Sequence, residues 1–215
     1  MRKTVTVVGL NHRTAPVEVR EKVAVNHSAL AENLHQLMSY PSLEEGVILS
    51  TCNRVEVLAV CSEEEAAVQD IKKFLAEKEA EEGGAVGEDH LYAYSGDLAV
   101  RHLFRVAASL DSMVVGEPHI LGQLKEYYIA ARDAGTIGAI LHRLFHRSFS
   151  VAKKVRSETG IASRPVSVSS VAVDLARRIF DRLDGKTVMV IGAGRIGELV
   201  VRHLMQNGVR GIMIT

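Results

Sequence analysis

Cys52 stands in the stretch ILSTCNRVEV, residues 48–57, where an apolar, strand-like run is interrupted by Thr51, Cys52, Asn53 and Arg54 in succession. A thiol beside a guanidinium has the make-up of a nucleophile, because a nearby cation favours the thiolate over the thiol. Most cysteines are small buried hydrophobes. Thr51, Asn53 and Arg54, however, are poor core fillers, and they are donors that suit a carboxylate or carbonyl ligand. If the strand ran on, Cys52 and Arg54 would share one of its faces. Cys61, which ends the run VLAVC, has an apolar setting and reads as structural.

A second stretch, VMVIGAGRIGEL, sets Gly192, Gly194 and Gly197 in G-x-G-x-x-G register, directly after a strand signal and at the opening of a helix. In that context the first glycine makes a tight turn, the second admits a pyrophosphate, and the third lets helix and strand pack closely. The plain alternative is a unit of this shape that binds no nucleotide. A ribose-reading residue is expected ~20 positions on, at or past Thr215, so these residues do not choose between NAD and NADP.

The run RHLFRVAASLDSMVVGEPHILGQLKEYY mixes polar and apolar residues unusually. His102 lies in an apolar helical context, where a histidine is more often a satisfied core residue than a catalyst. Asp111, Ser112, Glu117 and Gln123 surround a Gly-Glu-Pro corner. That corner suits helix capping, with Pro118 just inside a helix start, and suits equally a pocket wall. His142 and His146 have i, i+4 spacing, but no acid or cysteine nearby completes a metal site, and none is expected.

These groups need elements to hold them. KTVTVVGL alternates as a strand; SALAENLHQLMS carries Leu30, Leu34 and Leu37 at helical spacing behind Ser28 as a cap; EGVILST and RVEVLAVCS are β-rich and nearly abut, which predicts a hairpin. A helix over 63–82 with acids in its first turn follows, then GGAVGED as a turn-forming linker and HLYAYSG as a last strand. The order β-α-β-β-α-β predicts a ferredoxin-like sheet with helices on one face. From Asp97 to about Leu183 the apolar residues recur at i, i+3, i+4, which predicts four helices. KTVMVIG, RIGELVVRHLMQNG and GIMIT then read as the beginning of a Rossmann NAD(P)-binding domain. The class is α/β, with one domain over 1–160, and a connecting helix and truncated nucleotide-binding domain over 161–215. A parallel pair of strands needs further strands and cover on both faces, so the chain reads as a piece of a longer protein.

Composition narrows the setting. The 215 residues are 47% hydrophobic and 24% charged with zero formal net charge, ordinary for a globular protein. Two cysteines without short pairing make neither a disulfide framework nor a zinc site. A reducing cytoplasm is expected. The N-terminal apolar run is too short for a signal peptide, and no segment approaches the ~18 apolar residues of a membrane span. Charge is uneven along the chain. Acids dominate from Glu63 to Asp89, whereas from Gly138 to Pro165 the bases Arg143, Arg147, Lys153, Lys154, Arg156 and Arg164 face only Glu158. Such a run is usually a solvated face; it is also the footprint of a nucleic-acid partner.

Taken together, GLNHRTAPVEVREK, STCNRVEV, HLFRVAASLDSMVVGEPHILGQLKEYY, SVSSVAVDLA and VIGAGRIGEL resemble, in order and context, bacterial-type glutamyl-tRNA reductases over essentially the whole chain. The resemblance implies Cys52 as the nucleophile with His102 near the reacting centre. It implies Thr51, Arg54, Ser112, Glu117 and Gln123 as the residues that hold the glutamyl group, and NADPH at Gly192, Gly194 and Gly197. His119 departs from the glutamine more usual there. The implied reaction is thiolate attack on the aminoacyl ester of glutamyl-tRNA, then reduction of the thioester to glutamate-1-semialdehyde, the first step of tetrapyrrole synthesis. The family also implies a homodimer through a C-terminal domain, and as a partner the next enzyme, glutamate-1-semialdehyde aminomutase. A chain this short is expected to lack reductase activity by itself. Two rival readings remain: an NAD(P)-dependent semialdehyde dehydrogenase, which has no use for the basic helix, and a non-catalytic module that binds tRNA or a nucleotide.

Overall fold

Two runs rich in β-branched residues, separated only by Cys52 and Asn53, pair as a hairpin: β2 (Leu43–Thr51) and β3 (Arg54–Cys61), with Thr51 opposite Arg54. In this computed structural model, which describes residues 3–81, 87–162, 168–192 and 194–215, the hairpin joins β1 (Thr4–Asn11) and β4 (Tyr92–Ser95). The four strands lie in the order β2-β3-β1-β4, antiparallel throughout. Most of the expected linker GGAVGED lies outside the described residues, as do Arg164 and Pro165.

The helices follow the apolar spacing of the sequence. Between β1 and β2 run α1 (Val17–Lys22) and α2 (Leu30–Leu37), and α3 (Glu64–Glu81) leads from β3 towards β4. Then come α4 (Asp97–Ala107), α5 (His119–Asp133) and α6 (Ala139–Glu158). Ser28 does not cap α2 as expected: a 3-10 turn over His27–Ala29 precedes the helix, and no side chain caps it. The tighter turn already uses the amides a serine would have satisfied.

Helices cover both faces of the sheet, not the one face expected. Every residue of β3 is buried, and so is β1 after its first residue, which alternation on a half-solvated sheet would forbid. Both α3 and α4 pack on β1, and both α2 and α5 on β2. One continuous core runs from Val5 to Ala152 through these strands and helices. The sequence of alternating elements did not reveal this because α4 to α6 come after the sheet in the chain and fold back on it.

Glu45, near the start of β2, fixes α6. Its two carboxylate oxygens accept the amides of Ile140 (3.1 Å) and Leu141 (2.8 Å), the first donors of a helix whose own start carries no side-chain cap.

A separate small core of Val173, Leu183, Leu204 and Val209 holds α7 (Val168–Phe180), β5 (Thr187–Val190), α8 (Arg195–Gln206) and β6 (Gly211–Ile214). β5 and β6 are parallel, joined through α8. Among the described residues no helix is long and apolar enough to cross a membrane.

Candidate active site

The two-residue turn of the hairpin carries Cys52, which is exposed, while its neighbour Arg54 is buried to within 1% of its surface. The strand does not continue through Cys52, so the two side chains part at the turn rather than sharing a face. The Thr51 hydroxyl accepts the amides of Asn53 (3.3 Å) and Arg54 (3.2 Å) and closes the reversal, a short-range role that hydroxyl side chains fill well. From outside the hairpin, Arg20 of α1 donates Nε to the Cys52 carbonyl (3.1 Å) and Nη1 to the Ala15 carbonyl (2.6 Å). The His12 amide bonds the Asn53 carbonyl at 2.9 Å.

Arg54 does not point at the thiol. Its Nη1 donates to Glu56 Oε1 at 2.7 Å, and its Nη2 to the backbone oxygen (2.6 Å) and Oδ2 (3.1 Å) of Asp111. The same Glu56 oxygen accepts the Tyr92 hydroxyl (2.5 Å) and His102 Nε2 (2.8 Å). Burial by itself would raise the Glu56 carboxyl, but the Arg54 guanidinium and the His102 and Tyr92 donors outweigh it and hold it at about 2. With Glu56 ionised, His102 carries its proton on Nε2. Burial, then the Glu56 carboxylate, pushes the Tyr92 phenol up. His12 is lowered by burial and by the nearby Arg54 and Arg13 cations, and its buried Nδ1 has no hydrogen-bond partner among the described residues.

A hollow of about 480 Å³ opens beside the turn. Thr51, Cys52, Arg54, Ser112, Glu117 and Gln123 all line it, so five expected ligand residues from three chain segments meet at the expected nucleophile. His119 lies on its wall too, at the first residue of α5. Ser169 of α7, and Ile196 and Leu199 of α8, complete the rim. His102 is not on this wall; it lies one residue behind Arg54, on Glu56, with Tyr92 and Tyr94 rings 5.6 and 5.0 Å away. The corner holding Ser112 and Glu117 is tied by Ser109 Oγ to the Glu117 carbonyl (2.7 Å). It is tied again by Gly116, whose φ of 88° favours glycine and whose added Cβ would come within 2.5 Å of the Ile161 carbonyl.

Sequence reasoning missed Arg20, Glu56 and Tyr92. Glu56 had a signal: Arg54 and Glu56 are two charges in succession on one face of an otherwise apolar strand. Arg20 had a weaker one, a cation three residues before buried Val23. Nothing local marks Tyr92, because its partner is 36 residues away.

At the glycine fingerprint, Gly192 has φ of 103° and Gly194 is the N-cap residue just before α8, and a Cβ at either would meet nothing within 4 Å. The open ground at a helix start is what an approaching phosphate needs. At Gly197 an added Cβ would strike the Gly192 carbonyl at 2.6 Å, so the third glycine serves close packing.

With this geometry in view, comparison with known proteins is decisive. The family described as glutamyl-tRNA(Glu) reductase, N-terminal domain, matches residues 8–159. The chain belongs to the glutamyl-tRNA reductase family. A second family, shikimate/quinate 5-dehydrogenase, matches residues 174–215. The glutamyl-tRNA reductase of Geotalea daltonii is 52% identical over 211 residues, and that of Trichlorobacter lovleyi is 50% identical over the same length. Each comparison covers 98% of this chain and 48% of the relative. The solved glutamyl-tRNA reductase of Methanopyrus kandleri superposes with a TM-score of 0.65 at 36% identity, covering 98% of this chain and 48% of that one. The chain therefore spans about half the length of the glutamyl-tRNA reductases it matches.

Proposed function

We propose that this chain is the acyl-accepting part of an NADPH-dependent glutamyl-tRNA reductase. The whole protein would convert glutamyl-tRNA to glutamate-1-semialdehyde, the first step of tetrapyrrole synthesis. The observation that carries the reading is the exposed Cys52 on a turn fastened from three sides, at the mouth of a hollow lined by Thr51, Arg54, Ser112, Glu117 and Gln123.

The Cys52 thiolate attacks the ester carbonyl carbon. A C–S bond forms, the C–O bond to the terminal ribose breaks, and the ribose oxygen leaves with a proton as tRNA is released. Thr51, Ser112 and Gln123 offer hydrogen-bond groups to the glutamyl group, and Glu117 an acceptor for its ammonium. Arg54 lies in the floor of the hollow as the cation for its side-chain carboxylate, held in place by Glu56 and Asp111. His102 acts behind it, by fixing Glu56. Gly192, Gly194 and Gly197 fit a dinucleotide pyrophosphate, and NADPH held there would supply the hydride that takes the acyl group to an aldehyde as the Cys52 thiolate leaves. The rim residues Ile196 and Leu199 belong to the helix that those glycines open.

The strand order β2-β3-β1-β4, with helices after β1 and β3, supports a ferredoxin-like sheet. The parallel β5-α8-β6 unit supports the beginning of a Rossmann domain. The two separate cores support a division near residue 160. A cytoplasmic homodimer passing its product to an aminomutase belongs to the same reading. The semialdehyde dehydrogenase alternative is less favoured by the family match over 8–159.

The test is release of glutamate from glutamyl-tRNA with no nicotinamide present. The unmodified chain should deacylate the tRNA slowly through water attack on the thioester, and Cys52→Ser should not. Equal activity of both forms would remove Cys52 from the chemistry.

A further inference from the structure

The face of α6 turned away from the core carries His142, Arg143, His146, Arg147, Lys153 and Lys154, all exposed. Leu141, Phe145, Ser148 and Ala152 are the buried side. At about 100° per residue the six basic and imidazole groups fall within one stripe, opposite the buried four.

Some cations on the other helices are paired within their own helix. Lys73 of α3 faces Glu77 at 4.0 Å, and Arg202 of α8 faces Glu198 at 2.6 Å. Among the described residues, on α6 only Lys154 has such a partner, Glu158 at 3.8 Å. Among the described residues, no carboxylate lies within 4 Å of Arg143, Arg147 or Lys153. A shallow hollow of about 550 Å³ adjoins His142, Arg143, His146 and Arg147. Beneath it the Tyr128 hydroxyl holds both imidazoles, at 2.7 Å from His142 Nδ1 and 3.1 Å from His146 Nε2.

The C-terminal end of α6 reaches the Cys52 site. Near the far end of α6, half-buried Arg156 donates to the Glu117 carbonyl at 3.1 Å, and Glu117 lines the hollow with Cys52. At the near end Glu45 pins the helix start. A 20-residue helix is about 30 Å long, so the exposed cations are strung along one rigid element whose far end touches a wall residue of the acylation site.

We propose that this face of α6 is the RNA-backbone surface of the domain, holding stem phosphates of the aminoacylated RNA whose ester end enters the Cys52 hollow. The proposal rests on the acyl-transfer reading, which supplies the RNA. Basic residues one helical turn apart are about 6 Å from one another, close enough to meet neighbouring phosphates. Arginine forks match phosphate oxygens in pairs. Such bonds read charge and helix shape rather than bases.

The experiment is fluorescence anisotropy of labelled tRNA(Glu) with the chain, across a series of salt concentrations. Arg143→Ala/Arg147→Ala/Lys153→Ala, with folding verified by circular dichroism, should lose at least ten-fold in affinity. The slope of log K against log salt should shrink by about two, at roughly 0.7–0.9 for each phosphate no longer neutralised. Lys73→Ala on α3 should change neither. The single variant Lys153→Ala should lower the slope by somewhat under one, so the idea stays testable if the triple variant misfolds. Unchanged affinity and slope in both variants would overturn the surface, as would binding to phosphatidylserine vesicles in place of tRNA. Acylation of Cys52 by glutamyl-adenosine, an ester with no stem, is followed separately by mass on the unmodified chain. Acylation there with tRNA binding indifferent to the substitutions removes the surface alone. No acylation of Cys52 by this ester or by glutamyl-tRNA removes the reading beneath it.

Discussion

Arg20 Nε lies 3.1 Å from the carbonyl oxygen of Cys52, so a buried cation on α1 grips the backbone of the turn that presents the thiol. Its other bonded partner is also a carbonyl, that of Ala15. The arrangement ties the turn to α1 and so stiffens the backbone that carries the thiol.

Arg20→Met keeps the aliphatic stem and removes both donors. It should cost about 1.5–3 kcal/mol of stability, the usual range for hydrogen bonds to a charged group, and slow alkylation of Cys52 by iodoacetamide at neutral pH. Urea unfolding and alkylation rates measure the two effects. Alkylation as fast as in the unmodified chain would mean that the turn presents the sulfur without help from Arg20.

Glu56→Gln leaves the shape of the strand but takes away the charge that answers Arg54 and His102. Breaking a buried pair on one side is expected to cost about 3–5 kcal/mol. Because Arg54 then has Asp111 as its sole carboxylate partner, glutamyl transfer to Cys52 should fall as well. A variant as stable as the parent in urea would contradict this account of the network.

The same carboxyl sets an acid limit. Held at about 2 against an ordinary 4.5, Glu56 contributes stability that is fully present above pH 4.5 and is lost as pH falls toward 2. The contribution is on the order of 3 kcal/mol. Tyr92 acts at the opposite end: its raised phenol contributes stability below pH 10 that is lost as pH rises beyond it. Unfolding free energy measured from pH 2 to 6 should therefore rise less steeply for Glu56→Gln than for the parent.

Gly9 pairs directly with Glu56 across β1 and β3. A Cβ there would lie 2.3 Å from the Val55 carbonyl and 2.9 Å from Glu56 Cγ. Gly9→Ala should destabilise the chain by about 1–3 kcal/mol through overpacking. Since the displaced strand carries Arg54, glutamyl transfer should drop too. Thermal unfolding unchanged from the parent would show that the strands can part at no cost.

Much of the site was legible because its signals are local. Cys52 among polar residues, the hairpin, the glycine register at 192–197 and the corner at Ser112 and Glu117 each depend on neighbours within a few positions. Thr51, Cys52, Arg54, Ser112, Glu117 and Gln123 line one hollow, a grouping that came from the family resemblance, since residue types alone left the Ser112–Glu117 corner open between a helix cap and a pocket wall. The start of α2 was misread because a 3-10 turn replaced the cap, a choice between two local solutions of similar energy.

What the tertiary structure alone decided is where the charges go. Arg54 reads in sequence as a cation two residues from a thiol; in the fold it turns inward to Glu56 and Asp111, and Arg20, 32 residues from Cys52, takes the place at the turn. His102 likewise meets Glu56 across 46 residues and stands behind the hollow rather than on its wall. The sequence by itself determined the elements, the thiol and the glycine loop, since these follow from dihedral preference and apolar periodicity. It could not determine the ion network or the cover on both sheet faces. Those depend on which buried polar group finds which partner once the chain has folded back, and a buried charge is tolerable only where that partner is in reach.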